Sequence, residues 1–71
     1  MILILKQDTD KTSAEYRRLL DHLNNLKNIQ IRVHEEVGAQ RTLTEIYLIG
    51  DTLSLDLEDM NTLPCVERAV R

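Results

Sequence analysis

The sequence predicts an α+β fold in the order βαββαβ, a four-stranded antiparallel sheet with both helices on one face. Three observations predict it. The chain opens on a continuous apolar run, MILILK; Tyr16, Leu19, Leu20, Leu23 and Leu26 recur at helical spacing; and IQIRVHEE and CVERAVR alternate with the period of two that a half-buried strand requires. With 71 residues there is material for one domain, spanning residues 1–71.

Each element follows in order. Residues 1–6 are apolar at every position before Lys6, which suits a central strand. QDTDKT supplies turn chemistry, and Thr12 with Glu15 matches the capping box, in which two side chains satisfy free amides at a helix start, so a helix is expected from about Ser13. Its apolar stripe faces inward, with Arg17, Arg18, Asp21, Asn24 and Asn25 toward water. Lys27-Asn28 end it. Ile29, Ile31 and Val33 then alternate with Gln30, Arg32 and His34. VGAQ turns the chain into RTLTEIYLIGD, the return strand of a hairpin that stops at Gly50-Asp51. Leu53 and Leu55 are expected to anchor a loop, Asp56 to cap a short helix with Leu57, Met60 and Leu63 inward, and Pro64 to forbid its continuation. In the last segment Val66, Arg68 and Val70 oppose Cys65, Glu67 and Ala69, and the chain stops at Arg71 still in strand pattern, as a piece cut from a longer chain would.

This order is the ferredoxin-like motif, which leaves one sheet face open. Because the first strand is apolar throughout, helices can cover only alternate side chains; the remainder predict an interface on the open face. The plainer reading is a small domain with a few exposed aliphatics.

Charge and composition exclude several classes. The net charge of −3, from 12 acidic and 9 basic residues without a basic cluster, argues against nucleic acid or an anionic membrane as partner. Tyr16 and Tyr47 are the only aromatic residues, so the core is aliphatic and base-stacking platforms are missing. A single cysteine, Cys65, permits no intramolecular disulfide and no cysteine-based metal site, and fits a reducing, cytoplasmic setting. MILIL is too short for a signal-peptide core and lacks a basic flank, and no apolar run is long enough to span a membrane.

Catalysis would need a nucleophile with its base, paired carboxylates or clustered metal ligands, and none stands out. His22 sits alone on the first helix. Glu35-Glu36 and Asp51, Asp56, Glu58 and Asp59 fit no calcium-loop spacing and read as solvated surface. Gly38 and Gly50 are unaccompanied, so no phosphate-cradling loop exists, and Cys65 has no adjacent base. No cofactor and no metal is expected. The most suggestive set is Arg32, His34 and Glu36, whose i, i+2, i+4 spacing puts them on the open face of the second strand. A cation, an imidazole and a carboxylate in a row could hold the carboxylate and ammonium of an amino acid. Alternatively they are the polar outer face of an edge strand, which discourages aggregation.

The order and spacing of the MILILK strand, the strand carrying His34, Gly38 with Arg41-Thr42, Ile49-Gly50-Asp51, and the closing Leu63, Cys65-Val66-Glu67 and Val70-Arg71 resemble the N-terminal ferredoxin-like regulatory domain of certain DAHP synthases. The resemblance covers nearly the whole chain. It implies an allosteric sensor of an aromatic end product, tyrosine or phenylalanine, attached to an enzyme that condenses phosphoenolpyruvate with erythrose 4-phosphate at the entry to the shikimate pathway. The family's catalytic barrel has no counterpart here, so no turnover is expected from this chain alone; its partner would be that barrel or a second copy of the domain. The family's effector site uses a histidine near the end of the second strand and a hydroxyl residue two positions on. His34 matches the first, whereas Glu36 replaces the second, and a carboxylate there repels the effector's own unless Arg32 offsets it. The span from Arg41 to Gly50 carries two residues more than the family's usual strand; an even insertion keeps the facing of side chains, so the resemblance implies a longer hairpin and a central return strand between the first strand and the His34 strand.

The rival reading is a stand-alone protein-interaction or dimerisation module without a small ligand. A small enzyme or carrier of this fold ranks below both, because metal carriers need a cysteine pair and RNA binders need aromatic residues on the sheet.

Overall fold

A computed structural model describes residues 1–71. Its elements are β1 (Ile2–Leu5), α1 (Ala14–Asn24), β2 (Ile29–Val37), β3 (Thr42–Gly50), α2 (Leu57–Asn61) and β4 (Val66–Val70), with a 3-10 turn at Thr52–Ser54. The strands form one antiparallel sheet in the order β2-β3-β1-β4, the ferredoxin-like arrangement. β1 is central, and β3 lies between it and β2.

The core lies between the helices and one sheet face. Leu3 and Leu5 of β1, Ile46 and Leu48 of β3, and Val66 and Ala69 of β4 meet Tyr16, Leu19 and Leu23 of α1 and Met60 of α2. All are aliphatic except Tyr16, and five leucine and isoleucine side chains, Leu3, Leu5, Leu19, Leu23 and Ile46, are wholly enclosed. Each contributes about 1.5–3 kcal/mol by leaving water, and these form the main cohesive force of the fold.

Several local expectations change. Ser13, not Thr12, caps α1: its hydroxyl accepts the Tyr16 N–H at 3.1 Å. Thr12 is occupied elsewhere, since both its N–H and its hydroxyl donate to the Asp10 carboxylate, at 2.8 and 2.6 Å. This pairing holds the Asp10 carboxyl below its usual pKa. Helix α1 ends at Asn24, earlier than Lys27-Asn28, with Asn25 as its C-cap; Leu26 still packs against the core, but from the following turn, and Asn28 adopts a left-handed conformation (φ 60°). Leu53 anchors nothing, being 89% exposed, whereas Leu55 does pack inward. Asp56 caps α2 through the Glu58 N–H at 2.9 Å, and Leu57, Met60 and Leu63 turn toward the core.

The alternation of the closing segment also fails. Leu5 pairs with Val66 but Ile4 pairs with Arg68, so Glu67 is the extra residue of a β-bulge. Val66 and Ala69 therefore both point into the core, while Arg68 and Val70 join Ile4 and Ile2 on the open face. Cys65, just before the bulge, is left-handed (φ 67°).

The β2–β3 hairpin is nine residues on each arm and fully in register. Only Ile29 and Ile31 of β2 pack against the core; Val33, on the same face, is 41% exposed and Val37 is 76% exposed. Helix cover thus ends partway along the hairpin, and the molecule measures 36 × 23 × 19 Å. Lys11 pairs with Glu35 on this helix-side face, tying the α1 approach loop to the uncovered strand. No helix is long and apolar enough to cross a membrane.

Candidate functional site

The open face is built by register. Ile46, Leu48 and Thr44 of β3 point to the helices, so Leu43, Glu45, Tyr47 and Ile49 point the other way, and the β2 residues opposite them, Glu36, His34, Arg32 and Gln30, share that face. Two rows cross the whole sheet: Arg32, Tyr47, Ile2 and Val70; and His34, Glu45, Ile4 and Arg68. Arg32, His34 and Glu36 are therefore brought onto one surface, as their spacing predicts.

Their surroundings were not predictable from spacing alone. His34 Nε2 lies 3.5 Å from Glu36 Oε1, its cross-strand neighbour is Glu45, and its ring stands 6.4 Å from that of Tyr47 at 58°. The imidazole thus lies among two carboxylates and a phenol, with the Arg32 guanidinium one residue pair away. The outward alternation of Leu43, Glu45, Tyr47 and Ile49 is visible in RTLTEIYLIG; what was missing was the hairpin register that sets Glu45 opposite His34 and Tyr47 opposite Arg32.

Beside Arg32 a depression of about 420 Å³ is lined by Met1, Ile2, Tyr47, Leu48 and Ile49. It is open to solvent, and Arg32 is the one charged side chain in an otherwise apolar and aromatic lining. That volume is within the range of small-molecule sites, about 300–1,000 Å³, and the combination suits a ligand with an apolar body and an anionic end.

A second depression lies at the opposite end of β1, among Lys6, Thr9, Asp10, Ser13, Glu15 and Cys65. Three of its polar side chains are committed locally: the Asp10 carboxylate accepts from Thr12, the Thr9 hydroxyl donates to the Lys6 carbonyl at 2.5 Å, and the Ser13 hydroxyl donates to the Asp10 carbonyl and accepts from the Tyr16 N–H. Burial, reinforced by the negative charge of Glu15, pushes the Cys65 thiol pKa up. The nucleophilic thiolate is thereby disfavoured at neutral pH. No three histidine, cysteine, aspartate or glutamate side chains converge closely enough to hold a metal ion.

No curated protein matches the chain by sequence. The family described as DAHP synthase ferredoxin-like domain matches residues 1–71, and the observed sheet order and helix placement are those of a ferredoxin-like fold. The chain belongs to the DAHP synthase ferredoxin-like domain family.

Proposed function

We propose that the chain is the regulatory domain of a DAHP synthase and senses an aromatic amino acid, tyrosine or phenylalanine, on its open sheet face. The observation that carries this reading is the contiguity of Arg32, His34 and Glu36 with the apolar depression around Tyr47, Ile2 and Ile49. Arg32 presents a planar fork of donors suited to the effector carboxylate. Glu36 and Glu45 offer acceptors to its ammonium, and the depression takes the ring. His34, between them, can donate to or accept from either end.

Because the depression is open, a second surface completes it: the catalytic barrel of the parent enzyme or another copy of the domain. The effector then stabilises the docked arrangement over the undocked one. A differential of about 1–3 kcal/mol gives roughly five- to 150-fold control, the usual range for such coupling. This small domain supplies the switch and the parent enzyme the chemistry.

Titration of the isotope-labelled domain with tyrosine, phenylalanine and tryptophan, followed by backbone amide NMR, tests the reading. Saturable shifts centred on Arg32, His34, Glu36 and Tyr47 with one amino acid are expected. In the parent enzyme His34→Ala should weaken inhibition and leave the uninhibited rate nearly unchanged; collapse of the basal rate would count against a sensor role. Exposed Leu43, Ile49 and Val70 on the same face favour the second reading, a dimerisation module without ligand. Association that depends on protein concentration but not on any amino acid, and that survives Val33→Pro in the β2 edge, would select it.

A further inference from the structure

The sheet has two edges of very different character. β4 is short, bulged and closed: the Ala69 N–H donates to Asn61 Oδ1 at 2.8 Å, and the Arg71 guanidinium donates back to the carbonyls of Thr52 and Leu55. β2 is nine residues long, unbulged, and holds no proline or glycine. An edge of that kind is a template for another strand unless something blocks it.

Two hydrogen bonds identify which backbone groups face outward. Asp51 N–H donates to the Asn28 carbonyl at 3.1 Å, and Gly38 N–H donates to the Arg41 carbonyl at 2.9 Å, at opposite ends of the hairpin. In an antiparallel ladder bonded and non-bonded pairs alternate, so the even-numbered residues of β2 bond to β3 and the odd-numbered ones turn their N–H and C=O away from it. Ile31, Val33, Glu35 and Val37 have no backbone partner elsewhere in the fold. This is also the stretch beyond the helix cover, with Val33 and Val37 exposed on the helix side.

We propose that this edge pairs with the same edge of a second copy of the chain, antiparallel and centred on His34. In that register each Arg32 stands opposite the partner's Glu36, Ile31 opposite the partner's Val37, and Val33 opposite the partner's Glu35, whose charge Lys11 already neutralises. The sequence reads cation, imidazole, anion at positions 32, 34 and 36, and its reversed copy reads anion, imidazole, cation. The two Arg32–Glu36 contacts fall at non-bonded pairs, where opposing side chains come closest. Shifting the centre to Glu35 sets the two Glu35 side chains face to face; shifting it to Val33 sets Arg32 against the partner's His34. Charge complementarity thus selects the His34-centred register. The pairing leaves both open faces uncovered, merges them into one continuous sheet surface and requires no bound amino acid, although it engages the same Arg32 and Glu36 that the proposed effector site uses.

Sedimentation velocity on the chain Met1–Arg71, up to about 1 mM protein, tests it. Wild type is expected to dimerise. Arg32→Glu alone and Glu36→Arg alone each place like charges opposite one another and should weaken dimerisation about tenfold or more. An equimolar mixture of the two restores both pairs and should dimerise at least as well as wild type. Val33→Pro removes an outward N–H that has no partner within the fold, so the variant should keep its far-UV circular dichroism and become monomeric. A wild type that stays monomeric overturns the proposal, as does a mixture no tighter than its components. A dimer that survives Val33→Pro also overturns it, since contact through the open face would then be responsible.

Discussion

Gly50 is the position where a single methyl group should do most harm. It ends β3 with φ +128°, a conformation that L side chains rarely adopt, and a Cβ there would collide with the Asn28 carbonyl, backbone that cannot swing aside. The strained torsion costs about 1–3 kcal/mol. Moving Asn28 away also sacrifices the Asp51 N–H hydrogen bond to its carbonyl, worth about 0.5–1.5 kcal/mol. Gly50→Ala should therefore cost about 2–4 kcal/mol. Typical stability of about 0.05–0.15 kcal/mol per residue gives a 71-residue chain roughly 4–10 kcal/mol, so the loss is a large share. In thermal melting it corresponds to about 8–32 °C. Gly38→Ala is the control: its Cβ would lie 3.1 Å from the Arg41 carbonyl in an exposed loop whose glycine has no positive φ, and the cost should stay below about 1 kcal/mol. Urea unfolding of both variants decides the matter. If Gly50→Ala matches Gly38→Ala to within about 0.5 kcal/mol, the close approach of β3 to Asn28 is not what stabilises this corner.

Further expectations concern the cap, the core and the response to alkali. Ser13→Ala should cost about 1 kcal/mol by freeing the Tyr16 N–H, while Thr12→Ala, whose bonds are exposed, should cost clearly less; equal losses in urea midpoints would return the cap to Thr12. Leu23→Ala, at a wholly enclosed site, should cost about 2–5 kcal/mol and leave much of the chain unfolded at 37 °C, visible as lost amide dispersion. Burial raises the Cys65 and Tyr16 pKa values above 9.0 and 10.0, with Glu15 adding to the first and Cys65 to the second. The unfolded chain then releases these protons at lower pH than the fold does, so stability is intact below about pH 8.5 and falls as pH rises past the unfolded values. The urea midpoint should hold to about pH 8.5 and then drop as pH rises past about 10, and Cys65→Ala should reduce the drop; a flat profile would refute it.

Much of the fold was legible because it rests on local chemistry. The period of the α1 stripe, the Asp56 cap, the stop at Pro64 and the alternation of β2 each depend on residues a few positions apart. Where local reading failed, a competing partner had intervened. Thr12 was a sound cap candidate until Asp10 took both its donors, and Ser13 one residue on could do the same work. The Val66-to-Val70 alternation broke because a bulge at Glu67 lets Val66 and Ala69 both reach the core. Leu53 lies outside because the 3-10 turn at Thr52–Ser54 points it away from the sheet.

The candidate site divides along the same line. By itself the sequence determined that Arg32, His34 and Glu36 share one face of one strand, since side-chain direction along a strand has a fixed period of two. Tertiary structure alone decided what stands beside them. Glu45 opposite His34, Tyr47 opposite Arg32, and Ile2 and Ile4 beyond are set by the pairing of strands distant in sequence, and that register depends on the Gly38–Arg41 turn and on the packing of Ile46 and Leu48 beneath the helices.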